Sequence, residues 1–436
     1  MKVLIIGSSS KEHAIIWKLL ASEKFKDIEI VACPGNSALS KVVECIDIDT
    51  DDIDRLLEVA IARNINLTIV GEAKLFSKGI VDKFRLAQKA IFGPTKAASL
   101  IESSNLFAKK LIIDNNIPSS KFVAFDHLDI ALAYINSCNF PVMIRSDKIY
   151  ESEIPAVTAE DFKTARRLLK EMFKTKFLSK DTPKIIIEEV IDGHEFTINT
   201  ICDGARALSL PPVQAYRDNE MDHYSDRGAY APTPILNDNL MYKIRTMIID
   251  PIMKALKDCG RAYTGLLAFD IALDLKEGLR PKLIQLRTSL ADSDAQVVLP
   301  LLDEDIFELF MASAKSDLSF YKDGLHKFLG SALSVNIVAG DRTEDLSPIH
   351  SLALLENLNN EITNLQGTIN GIPLIFYGTR TIEKASRKLG QAEIFGATAV
   401  AESLLDAQIL AYKLADSISL PSKSFERDIG DHGMIE

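Results

Sequence analysis

Cysteine is scarce in this chain of 436 residues: Cys33, Cys45, Cys138, Cys202 and Cys259 are five, widely spaced, with no C-x-x-C pair. That excludes a disulfide framework and a thiolate zinc site, and reduced thiols in or near cores are expected. Long apolar runs are lacking too. No stretch reaches the roughly 18 apolar residues of a membrane span, and Met1 to Gly7 is too short a run for a signal peptide, so a cytoplasmic protein is expected. Positive charge is in deficit. A net charge of -11 argues against a general binder of nucleic acid or anionic membrane, both of which demand a basic surface. Neither a repeat period nor a low-complexity segment is present.

What remains is globular composition, 47% hydrophobic and 25% charged, in a chain long enough for roughly three domains. Val3 to Ile6 is a short β run that meets Gly7-Ser8-Ser9-Ser10, and the helical pattern of Ala14, Ile15, Trp17, Leu19 and Leu20 follows. Ile28 to Ala32 and Leu67 to Gly71 are further strands around a helix at Ile53 to Arg63, and Ile91-Phe92 ends at the breaker Gly93-Pro94. Strands alternating with helices predict a parallel sheet covered on both faces. The acidic run Asp49 to Asp52 reads as a helix N-terminal cap. A helix through Leu106 to Leu111 stops at Asn115 to Pro118. Apolar runs at Pro141 to Ile144 and Ile185 to Ile187 then predict a strand-helix-strand unit, with Met172, Phe173 and Phe177 as packing residues. Further strands are expected at Leu266 to Leu273, Lys282 to Leu286, Ala332 to Val338 and Leu374 to Tyr377. An amphipathic helix is expected at Ala401 to Ala415, and a polar end, residues 422–436, that frays.

Several local sequences in order resemble the phosphoribosylamine–glycine ligases (glycinamide ribonucleotide synthetases), a family of ATP-grasp fold. They are Gly7-Ser8-Ser9-Ser10-Lys11-Glu12-His13, Cys33-Pro34-Gly35-Asn36, Ile91 to Thr95, Glu188-Glu189 followed by Asp192-Gly193 and Glu195, Gly228-Ala229-Tyr230, Tyr263-Thr264-Gly265, and Arg427 to Gly430. The resemblance covers nearly the whole chain. It implies an α/β ATP-grasp fold with an N-terminal parallel-sheet domain (1–102), an ATP-grasp domain (103–325, with a smaller mobile subdomain at 119–190) and a small C-terminal α/β domain (326–425). The implied reaction joins glycine to 5-phosphoribosylamine with ATP and Mg2+, in a monomer or weak homodimer with small-molecule partners, no nucleic acid and no membrane.

The implied site residues follow the same matches. Glu188, Glu189, Val190 and Glu195 stand on the strand that contacts adenine and ribose. Gly7, Lys11, Glu12, His13 and Asp294 are candidates for substrate, and Arg145, Arg287 and Asp292 for catalysis. Asp270 is the one candidate metal ligand.

Departures converge on the nucleotide. The family's glycine-rich phosphate cover, with its lysine, is replaced by Arg145 to Pro155, in which Arg145 and Asp147 are kept, every glycine is gone and Glu153 replaces the lysine. Glycine lets backbone N–H groups approach phosphate, and a glutamate repels it. The metal pattern Glu-Phe-Asn becomes Gln285-Leu286-Arg287, although magnesium prefers charged oxygen ligands. Asn105 stands where the family has a lysine, and Ser289 and Ala291 replace an arginine and a glycine. The loop from Gln214 to Gly228 carries Asp218, Glu220, Asp222 and Asp226 instead of glycines.

The reaction is therefore expected to be weak or lost, with a non-catalytic scaffold or a ligase of altered substrate as alternatives. Bland readings stand beside these: an ordinary βα turn at Gly7 to His13, surface carboxylates at Glu188, Glu189 and Glu195, packing or exposed histidines at His13 and His194. Arg287 can neutralise phosphate, or fill a retired pocket by pairing with Asp270 or Asp292.

Overall fold

The first apolar runs form one sheet. β1 (Lys2–Gly7), β2 (Glu29–Pro34), β3 (Glu44–Cys45), β4 (Leu67–Val70) and β5 (Ile91–Phe92) lie in the order β3-β2-β1-β4-β5, every pairing parallel. Alternation along β1 sends Val3 and Ile5 toward α1 (Ser10–Leu20). Leu4 and Ile6 point to the other face, covered by α2 (Ile53–Ala62), α3 (Lys74–Ser77) and α4 (Ile80–Leu86). Asp52 caps α2 by accepting from the Arg55 amide at 3.1 Å, as the acidic run predicts. The computed structural model describes residues 1–433 apart from 37, 153, 155, 175–183, 218–225, 322–323, 326–327, 340–370, 379–392 and 419–422.

After α5 (Leu100–Ser103) and α6 (Asn105–Asp114) comes a small antiparallel sheet. Its strands are β6 (Phe122–Phe125), β7 (Val142–Ser146), β8 (Ala156–Ala159) and β9 (Ile185–Glu189), in the order β6-β9-β7-β8. Between them run α7 (Leu128–Ile135) and α8 (Phe162–Lys174), which bury Ala131, Ile135, Ala165, Leu168, Leu169 and Met172 against Val142, Ile144, Ile185 and Ile187. Phe173 is partly buried beside them, and Phe177 lies outside the described residues. Because a strand's side chains alternate, Arg145 and Glu188 must project from the opposite face. That face lines the cleft.

The chain continues through β10 (Gly193–Asp203), β11 (Ala207–Ser209), β12 (Gln214–Arg217), β13 (Asp226–Ala231), α9 (Asp238–Ile244), α10 (Asp250–Asp258), β14 (Thr264–Asp274), β15 (Arg280–Arg287), α11 (Asp292–Leu301) and α12 (Ile306–Ala314). β11-β10-β14-β15 form an antiparallel sheet. α6, α9 and α10 pack on one side of it, and α11 and α12 on the other.

The last sheet draws on chain from both sides of residue 325. β16 (Ser331–Ala339), β17 (Gly371–Tyr377) and β18 (Glu393–Ala401) are joined by the earlier β12–β13 pair in the order β12-β13-β16-β18-β17. Gly228 makes that pairing possible, since a Cβ there would lie 2.4 Å from the Ser334 carbonyl oxygen. α13 (Leu404–Ser417) begins three residues later than its pattern suggests. Ala401 is still paired in β18, and Ser403 caps the helix by accepting from the Asp406 amide at 3.1 Å. The polar end is tied down as well: β19 (Lys423–Ser424) pairs with β16 and Ile429 is fully buried. A few apolar contacts outweigh the polar composition of that segment.

One amide joins three units. Gln296 on α11 donates to Ser10 Oγ at 2.9 Å and accepts from Ser334 Oγ, which in turn accepts from Thr398 at 2.9 Å. A Cβ at residue 396 would sit 1.8 Å from Gln296 Oε1, so any larger residue there would push this amide off its partners. Among the described residues no helix is long and apolar enough to cross a membrane. Cys33 and Cys202 are buried, Cys259 is exposed, and none of the five cysteines is in a disulfide.

Candidate functional site

A continuous run of buried charge fills the cleft between the small sheet and the β10–β14–β15 sheet. It starts on α6, where Lys109 pairs with Glu188 and donates to Ser120 Oγ at 3.1 Å, while Ser120 donates to Glu188 at 3.0 Å. Glu188 also receives the Nε of Arg145, whose Nη1 donates to Gln285 Oε1 at 2.9 Å across the cleft. The Gln285 amide then donates to Asp270 Oδ2 at 2.8 Å. Arg287 grips both oxygens of Asp270 at 2.9 Å and reaches Asp294 at 3.0 Å. Thr197 donates to Asp270 at 2.7 Å and Asn199 to Asp294 at 3.2 Å. Three cations thus face three carboxylates in alternation.

The electrostatics follow from burial. Desolvation alone would push the Glu188 carboxyl up, but the charges and hydrogen bonds of Arg145 and Lys109 hold it at about 2. Desolvation works against the Arg287 cation, and the Asp270 and Asp294 carboxylates overcome it, keeping the guanidinium well above its usual range. A bidentate guanidinium suits this place better than an ammonium, because its planar fork matches a carboxylate edge. The donor set does not fit a divalent cation: Asp270 and Asp294 are joined by a positive side chain, and Gln285 is oriented by Arg145 and Asp270. Among the described residues no group of three or more His, Cys, Asp or Glu could hold a metal.

From Ser146 to Tyr150 the chain is pinned rather than open. Asp147 accepts from Ser104 Oγ at 2.7 Å and from the Leu106 amide at 2.8 Å, capping α6. Asn105 donates to the Ser146 carbonyl at 2.7 Å. Tyr150 hydrogen-bonds Glu102, which also accepts from the Thr288 amide at 2.8 Å beside Arg287. Burial raises the Glu102 carboxyl. Glu153, Pro155 and the acidic loop positions Asp218, Glu220 and Asp222 lie outside the described residues.

A second cluster surrounds the start of α1. Glu12 Oε2 accepts from the Ser9 amide at 2.6 Å and from Ser9 Oγ at 2.7 Å. Its Oε1 is buried without a hydrogen-bond partner among the described residues, so close to residue 71 that a Cβ there would lie 1.5 Å away. Burial raises this carboxyl. Asp292, at the start of α11, lies 2.6 Å from Ser9 Oγ, whose single proton it shares with Glu12, and accepts from the Lys11 amide at 3.2 Å.

Residues 1–102 match the family "Phosphoribosylglycinamide synthetase, N domain" and residues 103–295 "Phosphoribosylglycinamide synthetase, ATP-grasp (A) domain". The chain belongs to this family. Among curated relatives, the phosphoribosylamine–glycine ligase of Caldanaerobacter subterraneus is 29% identical over 433 residues, 98% of this chain and 99% of that one. The ligase of Escherichia coli K12 is 29% identical over 439 residues, 99% and 98% of the two chains. Two solved structures share the fold. One is the Thermotoga maritima phosphoribosylamine–glycine ligase, with TM-score 0.74, 17% identity and coverage of 98% and 100%. The other is the Hydrogenobacter thermophilus 2-oxoglutarate carboxylase biotin carboxylase domain, with TM-score 0.69, 12% identity and coverage of 97% and 91%.

Within this phosphoribosylglycinamide synthetase relative, Arg145, Glu188, Asp270, Arg287 and Asp294 come together in one chain of contacts, while Glu189 and Glu195 are exposed and Val190 half-buried. Arg287 pairs with Asp270, as one reading of the sequence has it, but its other partner is Asp294 and not Asp292. The two aspartates are two residues apart on a helix, about 200° around its axis, so only one can face β15. Asp292 serves the Gly7 to His13 turn instead. Lys109 and Thr197 carry no sequence signal. Each is a polar residue in an apolar pattern, and only the packing of α6 and β10 shows what it meets.

His13 accepts from the Tyr377 amide at 3.0 Å and stacks on the Tyr377 ring at 5.3 Å between centroids. It joins α1 to the last sheet, and burial lowers it to about 4. A base depressed on folding stays neutral where the unfolded chain protonates, so its contribution is present above about 6.5 and is lost as pH falls toward 4. The loss should reach at most ~3 kcal/mol. Glu12 acts with the opposite sign: its folded pKa is raised, so stability is lost as pH rises above 4.5. His13→Gln should flatten the acid limb of a urea-unfolding pH series between 6.5 and 4. An unchanged limb would show that the ring does not titrate as its burial implies.

Proposed function

We propose that this chain is a phosphoribosylamine–glycine ligase homologue in which the ATP-dependent joining of glycine to 5-phosphoribosylamine is weak or lost. One observation carries the reading: Arg287 bridges Asp270 and Asp294 at 2.9 and 3.0 Å in the middle of the cleft. Relative to the Glu-Phe-Asn pattern, Gln285 removes one negative charge and Arg287 adds one positive charge. Together they supply the charge of one divalent cation from the protein itself. The run from Lys109 to Asp294 balances without Mg2+ or phosphate, and a triphosphate would have to break those pairs in order to enter. Breaking a buried pair leaves uncompensated charge and costs about 3–5 kcal/mol.

In any residual reaction Glu189, Val190 and Glu195 would face adenine and ribose. Gly7, Lys11, Glu12 and Asp292 would face the amine substrate, and Arg145 and Arg287 the phosphates. The intact turn at Gly7 to Lys11, still tied to Asp292, favours a second reading, an ATP-grasp ligase acting on another nucleotide or acid. The third is a scaffold without catalysis.

Calorimetric titration with ATP and Mg2+, followed by ADP release with glycine and phosphoribosylamine, separates the three. The expected result is no saturable heat below millimolar nucleotide and turnover at least about 10³-fold below an ordinary k of ~10 s⁻¹. Heat without turnover on these substrates would favour the altered ligase. Micromolar Mg-ATP binding with turnover at ordinary rates would overturn the proposal.

A further inference from the structure

The outer face of the small sheet carries a feature unrelated to the cleft. α8 holds Lys163, Arg166, Arg167, Lys170 and Lys174 against the single acid Glu171, so this helix is +4 in a chain of -11 and the remainder is -15. All five cations are exposed. Lys163, Arg167, Lys170 and Lys174 follow one another at i, i+4, i+7 and i+11, a single row about 16 Å long, while Ala165, Leu168, Leu169 and Met172 face the sheet. Arg166, Arg167, Lys170 and Lys174 enter no ion pair among the described residues. Like charges at i,i+3 and i,i+4 destabilise a helix, so the row is held against its own repulsion by the burial of the opposite face and by Asp161, which accepts from the Thr164 amide at 2.7 Å.

We propose that this row is a docking surface for an acidic helix of another protein. Carboxylates at i, i+4, i+7 and i+11 rise along a helix axis with the same spacing as these cations, so two helices laid side by side pair the charges in register. A nucleic acid fits less well. The remaining charge of -15 repels a long polyanion, and the one exposed aromatic ring of the helix, Phe162, sits at its first residue, before the row and not between successive cations. α8 packs on the face of the sheet opposite Arg145 and Glu188, so among the described residues the row is apart from the cleft, and the proposal does not depend on whether the ligase reaction survives.

The test uses the full chain and fluorescence anisotropy, with a fluorescein-labelled helical peptide bearing Glu at i, i+4, i+7 and i+11, at low salt. Saturable binding is expected, weakening by about tenfold between 50 and 200 mM salt. An Arg166→Glu, Arg167→Glu, Lys170→Glu, Lys174→Glu variant with unchanged circular dichroism should bind at least about tenfold more weakly. If that variant misfolds, Lys170→Gln with Lys174→Gln should still show a several-fold loss. No binding by the native chain would overturn the proposal. Equal binding of a peptide of the same composition with its charges spread around the helix would do so too, as would tighter binding of single-stranded RNA than of the peptide.

Discussion

Replacing Arg287 with alanine is expected to lower the unfolding free energy by about 3–5 kcal/mol, because Asp270 and Asp294 would be left buried without their common cation. Asp270 is 4% and Asp294 0% exposed, so water cannot take over the guanidinium's role without opening the fold. Lysine should recover only part of the loss, since a single ammonium cannot grip both Asp270 oxygens and reach Asp294. The alanine variant carries a further expected signature: millimolar Mg2+ should raise its unfolding midpoint in urea and leave the native protein unmoved. Two facing carboxylates without a bound cation are an attractive place for a hard divalent ion. A loss below about 1 kcal/mol would mean the bridge is worth no more than a surface pair, and the reading of Arg287 as a built-in cation would fall with it.

The second large effect is expected at Glu188. Its carboxyl lies between Lys109 and Arg145, 3% exposed, and is held at about 2. An acid depressed on folding contributes stability that is fully present above 4.5 and is lost as pH falls through about 2. A span of that size corresponds to ~3 kcal/mol. Glu188→Gln keeps the shape and removes the charge, so it should lose about 3 kcal/mol or more at pH 7, with two cations left facing one another. It should also abolish the steep acid limb below pH 4.5. Urea unfolding at pH 7 and at pH 3 measures both. A variant as stable as the native chain at pH 7 would show that Lys109 and Arg145 find other partners. Arg145 also donates to Gln285, so the same variant should loosen the small sheet from β15, visible as faster amide exchange in β7 and β9.

Much of the fold is legible in the residues. The order of strand, small-residue turn and helix at Val3 to Leu20, the breaker Gly93-Pro94 and the apolar runs at Pro141 to Ile144 and Ile185 to Ile187 all state local structure, because composition and punctuation depend on near neighbours. The joining of β12 and β13 to β16 is different. It brings together segments separated by about a hundred residues, and no local pattern reports such a pairing. The bounds of α13 and the buried Ile429 escape a local reading for the same reason: a paired Ala401 and a few apolar contacts decide against propensity.

The candidate site divides along the same line. Gln285 and Arg287 in the place of a glutamate and an asparagine, with the vanished glycines after Arg145, are visible in the sequence, and by charge alone they speak against a bound metal and triphosphate. Of the partners of Arg287, Asp270 is named from the sequence and Asp294 is not. Asp294, and likewise the Glu188–Lys109 pair, come from α11, β9 and α6, elements far apart in the chain. What the sequence by itself determined is the sum of charge in the cleft and the family to which the strands and turns belong. Which cation meets which carboxylate was decided only by tertiary structure, because pairing energies depend on distances of about 3 Å, and those are set by how sheets and helices pack.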